Sequence, residues 1–98
     1  MSTYVILCNY TEQGAKRIRE ISKATATEQW KDVIHKSGGK LVSFYALLGA
    51  YDFVVIVEYP SDEVALQRLL SLAISGDFKT TTCKAFTSTD FAKIVKRI

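Results

Sequence analysis

Lys40-Leu41-Val42-Ser43-Phe44-Tyr45-Ala46-Leu47-Leu48-Gly49-Ala50-Tyr51-Asp52-Phe53-Val54-Val55-Ile56-Val57-Glu58-Tyr59 is the stretch that decides the fold. Two β-forming runs, Lys40 to Leu48 and Tyr51 to Tyr59, flank Gly49-Ala50, the signal for a tight hairpin. Pro60 stops the second run, because proline has no N–H to give to a ladder. Both parities of each run are apolar: Val42, Phe44, Ala46 and Leu48 against Leu41, Tyr45 and Leu47, and Val54 and Ile56 against Phe53, Val55 and Val57. An antiparallel sheet with one wet face alternates cleanly, and this one does not. The bulkier set, Tyr51, Phe53, Val55 and Val57, is assigned to the core beneath the helices. The other set then forms an apolar patch that calls for a partner.

Upstream, Thr3 to Asn9 reads as a first strand, and Thr11 is placed to cap a helix. Ala15, Ile18 and Ile21 recur at helical spacing, whereas Ala26, Trp30, Val33 and Ile34 form a second stripe out of phase with the first. Thr25-Ala26-Thr27-Glu28 fits a capping box and predicts a kink or fresh start near Thr25. Gly38-Gly39 ends this region. Downstream, Ser61 caps a second helix over Val64 to Ile74, with Asp62 and Glu63 on its first turn and Gly76 past its end. Phe78 to Phe86 gives a fourth strand with one polar face. Ser88 or Thr89 then caps a last helix with Phe91, Ile94, Val95 and Ile98 on one side and Lys93, Lys96 and Arg97 on another.

Strand, helix, strand, strand, helix, strand and terminal helix make an α+β, ferredoxin-like βαββαβ pattern with a four-stranded antiparallel sheet. The 98 residues, 48% hydrophobic, form a single domain over 1–98 that can bury a core. The two-sided sheet predicts a homodimer whose sheets pack through their open faces, or a larger ring. Charge is uneven: residues 1–40 carry seven Lys/Arg against four Asp/Glu, 41–78 one against five, and 79–98 five against one. Such segments suit copies meeting head to tail, or an anionic ligand held near the termini, but the formal net charge of +3 is too small to argue for nucleic acid.

The hairpin tip carries a resemblance. Gly49-Ala50-Tyr51-Asp52, with Asn9-Tyr10-Thr11-Glu12-Gln13-Gly14 near the start, Glu58-Tyr59-Pro60-Ser61-Asp62-Glu63 after the third strand and Thr82-Cys83-Lys84-Ala85-Phe86 near the end, resembles the GYD domain family over nearly the whole chain. The resemblance implies the dimeric α/β barrel fold and leaves function unassigned. A more distant likeness is to the ligand-sensing domain of leucine-responsive regulators, which has a similar turn and binds amino acids between subunits. With a first strand read from Thr3, the DNA-binding helix-turn-helix of those regulators is not expected within these residues.

Asp52 shares a strand face with Val54, Ile56 and Glu58, since side chains two apart point the same way. Two carboxylates on an apolar face need partners when buried. Lys84, Thr80 and Thr82 on the fourth strand are the expected ones. The resulting candidate ligand site is Gly49, Tyr51, Asp52, Glu58, Thr82 and Lys84, in the inter-subunit cleft, for a small polar metabolite. The plain structural reading is that Gly49 and Asp52 only shape the turn. Two further classes stay open: a cofactor-independent enzyme with Asp52 or Glu58 as acid or base, and a structural assembly module.

His35, the only histidine, falls at a helix end where its protonated ring complements the helix dipole. No phosphate loop, nucleophile elbow or metal-ligand pair is present, so neither metal nor cofactor is expected. Cys8 and Cys83, far apart, read as small core residues in a reduced, cytoplasmic protein. Met1 to Tyr10 has no basic leader, and no run approaches the roughly 20 apolar residues of a membrane span. RNA is not an expected partner. Against the third-strand signature of the RNA-recognition motif, Gly49 replaces the basic residue, Asp52 stands where phosphate would pass and Ile6 replaces the stacking aromatic of the first strand.

Overall fold

In a computed structural model of the chain, the backbone is described for residues 1–24 and 27–98, and the side chains outside 22–29. The elements are β1 (Ser2–Tyr10), α1 (Glu12–Lys16), α2 (Ile18–Ala24), α3 (Thr27–Lys36), β2 (Lys40–Ala46), β3 (Phe53–Tyr59), α4 (Asp62–Ser75), β4 (Phe78–Ala85) and α5 (Ser88–Val95). The strands form one antiparallel sheet in the order β2-β3-β1-β4. Two central strands from distant parts of the chain, each completed by an edge strand, are the ferredoxin-like arrangement expected from the sequence.

Register decides the two faces. Tyr4 lies opposite Val57, Ile6 opposite Val55 and Cys8 opposite Phe53, and these side chains form the core beneath the helices. Val55 and Val57 are almost fully buried, so the bulkier parity of β3 does face the helices. Burying one aliphatic side chain of this size contributes about 1.5–3 kcal/mol, which is why the parity is not exchangeable. At one end of the core Trp30 meets Phe44, Phe53 and Phe78 edge-on, at centroid distances of 6.0, 5.6 and 5.9 Å. Phe53 stacks on Phe44. The opposite face carries Val5, Leu7, Val54 and Ile56, each only half-buried within the chain.

Local rules account for most boundaries. Thr11 caps α1, its hydroxyl accepting from the Gly14 N–H at 3.1 Å. The helical region breaks at Arg17, which leaves helical geometry with φ −106° and ψ 13°. The break predicted near Thr25 lies outside the described residues. Ser61 caps α4, and Gly76 ends it in the left-handed conformation at φ 78°. The hairpin is wider than the sequence suggests: β2 stops at Ala46, β3 starts at Phe53, and the Leu47 N–H donates to the Asp52 carbonyl at 2.8 Å across the six-residue link. Thr87, rather than Ser88 or Thr89, caps α5 by accepting from the Asp90 N–H. No residue of α5 is buried, although Phe91, Ile94 and Val95 form an apolar side. Cys8 is in the core as expected, whereas Cys83 is exposed, because it sits beside Val5 on the open face.

Among the described residues, no helix is long and apolar enough to cross a membrane, and no cluster of three or more His, Cys, Asp or Glu could hold a metal ion.

Candidate functional site

The hairpin end is built by β1 and the link before β3. Asp52 accepts the Tyr10 N–H through Oδ2 at 2.8 Å, while its own N–H donates to the Cys8 carbonyl at 2.9 Å. The carboxylate therefore ends the β1–β3 ladder as well as shaping the turn. Gly49 stands exposed at the tip with φ 156° and nothing within 4 Å of where a Cβ would be. Tyr51 is half-buried beside it. Burial, and then the Asp52 charge, push the Tyr10 phenol up from its ordinary value.

An Asn at position 52 supplies the same acceptor oxygen without the charge. Asp52→Asn is expected to melt within about 2 °C of the parent, while Asp52→Ala, which leaves the Tyr10 N–H without its partner, loses about 1 kcal/mol, or roughly 4–8 °C. Thermal melts followed by circular dichroism check this. An Asn variant as damaged as the Ala variant would show that the charge, rather than the acceptor, is what the turn requires.

Glu58 is on the open face, opposite Lys40 in register, whereas Asp52 lies in the link before β3 with its carboxylate on the Tyr10 N–H. The other two expected members of the site are not there. Thr82 lies opposite Ile6, and Lys84 opposite Tyr4, so both are on the helix side of β4. The expected grouping of Asp52 and Glu58 with Thr80, Thr82 and Lys84 does not form, because the Phe78↔Tyr10 register turns these side chains toward the helices. Lys84 Nζ instead reaches the Asp62 carboxylate on α4 at 3.0 Å, and the Tyr4 hydroxyl donates to the same carboxylate. The Thr82 hydroxyl is buried with no hydrogen-bond partner among the described residues.

The Tyr4 hydrogen bond, and next that from Lys84, hold the Asp62 carboxyl below the usual carboxylate range. A folded pKa below the unfolded value gives a contribution present above the unfolded pKa and lost as pH falls through the folded one. Exposure of both ionic partners keeps it small. Asp62→Asn is expected to flatten the acid limb of stability below about pH 4 while changing the neutral melting temperature little. Melts at successive pH values check it, and an unchanged acid limb would count against the linkage.

Two features of the helix side were not anticipated. Asp77, buried between Gly76 and Phe78, accepts from Arg17 Nη1 at 3.0 and 3.2 Å and from Gln13 Nε2 at 2.9 Å. The Thr11 N–H donates to the Asp77 carbonyl at 3.0 Å, so the start of α1 is clasped to the α4–β4 turn. The only sequence signal was Gln13 and Arg17 one helical turn apart, with a lone carboxylate beside a helix-ending glycine. Next to this clasp, a cavity of about 460 Å³ lies between sheet and helices. Ile6, Val55 and Val57 form its floor, Trp30, Ile34 and Leu72 its walls, and Arg17, Glu20, Arg68 and Asp77 its polar rim.

A ferredoxin-like sheet with helices on one face, an apolar open face on the other and a Gly-x-Tyr-Asp hairpin tip defines a small α+β module. The sequence profile of the GYD domain matches residues 4–95, and the chain belongs to the GYD domain family. It is 30% identical, over 98% of its length and all of the relative's, to a protein of Thermus thermophilus named glutamine synthetase and cystathionine beta-lyase binding protein. Its fold is similar to that in the crystal structure of MtbAldR, with a TM-score of 0.63 at 19% identity over 89% of this chain. The chain spans about half, 52%, of that protein.

Proposed function

We propose that this protein is a homo-oligomeric binding module, in which two copies join through the open faces of their sheets and the hairpin tips border the joint. The observation that carries the reading is the stripe Val5, Leu7, Val54 and Ile56, with Tyr45 beside it 61% exposed. Such a stripe along the two central strands is a sheet's second core face without its second layer.

A second copy of the chain is the occupant the face fits. Lys40 and Lys79 stand on it with Glu58, charges of both signs, so a two-fold axis brings together surfaces that are not of one sign. The accessible surface is 6933 Å², whereas a compact monomer of this mass exposes about 5,600 Å². The excess is of the size one partner gives to a stable interface, about 800 Å² or more. Likewise the radius of gyration is 14.5 Å, against about 12.6 Å for a compact chain of this length. The bare apolar side of α5 adds a second surface that a neighbouring copy covers.

Binding, rather than catalysis, is supported by the relative named for the two enzymes it binds. The same name supports a protein partner beside the small polar metabolite read from the sequence. Gly49, Tyr51, Asp52 and Glu58 border the joined sheets in this arrangement; Thr82 and Lys84 do not. Light scattering at micromolar concentration tests the assembly: a mass of at least twice 11.0 kDa is expected, and a monodisperse 11.0 kDa species would reject it.

A further inference from the structure

We propose that the cavity between the sheet and the helices is a binding site for a small amphipathic monocarboxylate, its apolar body against Trp30, Val33 and Leu72 and its carboxylate on the Arg68 guanidinium. This site lies within one protomer and is separate from the cleft between sheets.

Size and lining fit a small organic ligand. About 460 Å³ falls in the range of roughly 300–1,000 Å³ usual for such pockets, which are mostly apolar with a few fixed polar groups. The polar groups here are not equivalent. Arg17 is committed: it reaches Asp77 at 3.0 Å and Glu20 at 3.4 Å, so these three rim charges are engaged with one another. Burial pushes the Tyr59 phenol up and the neighbouring Arg68 guanidinium acts against that rise, so Arg68 faces a neutral side chain buried in the core. No carboxylate pairs with Arg68 among the described residues. Among the described residues, Arg68 is thus the one rim cation without a carboxylate partner.

A guanidinium's parallel N–H groups match a planar carboxylate in a two-pronged contact. One negative charge balances Arg68, whereas a dianion would bring a second charge toward Glu20 and Asp77 at the same rim. An ammonium would meet Arg68 as a like charge. The hydrocarbon floor, Ile6, Val55 and Val57, offers no donor or acceptor side chain, so the rest of the ligand must be apolar.

The chain's single tryptophan, Trp30, lines the cavity and reports occupancy directly. Hydrocinnamate, hydrocinnamyl alcohol and phenylpropylamine share one phenylpropyl body and differ in the head group. Titrated into the full chain, the carboxylate is expected to change Trp30 fluorescence saturably with at least about tenfold higher affinity than the alcohol, and the amine to give no saturable change. Arg68→Gln is expected to bring the carboxylate's affinity down to that of the alcohol and to leave the alcohol's unchanged. Absence of saturable binding by the carboxylate, equal affinity for carboxylate and alcohol, or an unchanged carboxylate affinity in Arg68→Gln would each overturn the proposal. The three-probe comparison on the parent chain decides the matter even if Arg68→Gln does not fold.

Discussion

Replacing Ile56 by lysine is expected to leave the chain folded and to dissociate it into monomers at micromolar concentration. Ile56 points away from the core that Val55 and Val57 build on the other face of β3, so the substitution leaves the packing beneath the helices in place. In the assembly the ammonium would lie between two apolar sheets. A buried charge left without a partner costs about 3–5 kcal/mol, and a two-fold interface carries it twice. That weakens association by several powers of ten, since about 1.4 kcal/mol is a factor of ten. Light scattering reads the mass and circular dichroism the fold. An Ile56→Lys chain with unchanged mass would remove the open face from the interface. Val54→Lys, one step along the same stripe, is expected to behave in the same way.

The second large effect is on folding itself. Gly14→Ala is expected to lower the melting temperature by about 15 °C or more, from a loss of roughly 3–5 kcal/mol. A Cβ on Gly14 would lie 2.0 Å from the Asp77 carbonyl oxygen, a contact with backbone that no rotamer change relieves. The start of α1 must then move off the α4–β4 turn. This breaks the Thr11 N–H bond to Asp77 and the Arg17 ion pair, leaving the buried Asp77 carboxylate without its partners. Against the total of about 5–15 kcal/mol typical of small domains, that is a large share. A melting temperature within a few degrees of the parent would mean that α1 is not held by this clasp.

Hydrophobic pattern and turn chemistry carried most of the fold. The faces of β3 were legible because Phe53, Val55 and Val57 outweigh Val54 and Ile56 in bulk, and α4 because Ser61 and Gly76 mark its ends. The face of β4 was not legible. Lys79 to Ala85 carries a lysine and at least one threonine on each parity, so its side depends on the register against β1, which the turn after α4 sets. Thr82 and Lys84 are expected beside Asp52 as partners for its carboxylate and that of Glu58, whereas Lys84 is drawn to Asp62 on the helix side. The Arg17–Asp77 clasp joins residues 60 apart, and the cavity exists only where three separated helical segments and the sheet meet. Neither leaves a local pattern. The exposure of α5 was equally hidden, since an amphipathic helix reads the same whether its own chain or a neighbour covers it.

Cys83 offers the most direct test of the open-face assembly. It lies beside Val5 on that face and is exposed in the single chain, whereas Cys8 is buried and its thiol pushed up to about 12 by that burial. The rate at which a thiol reagent modifies the native protein, measured across a series of chain concentrations, reads cover at Cys83 and mass action together. Joining through the open faces slows the fast thiol as concentration rises, and the Ile56→Lys chain reacts fast throughout. One fast thiol per chain at every concentration of the parent would contradict the assembly.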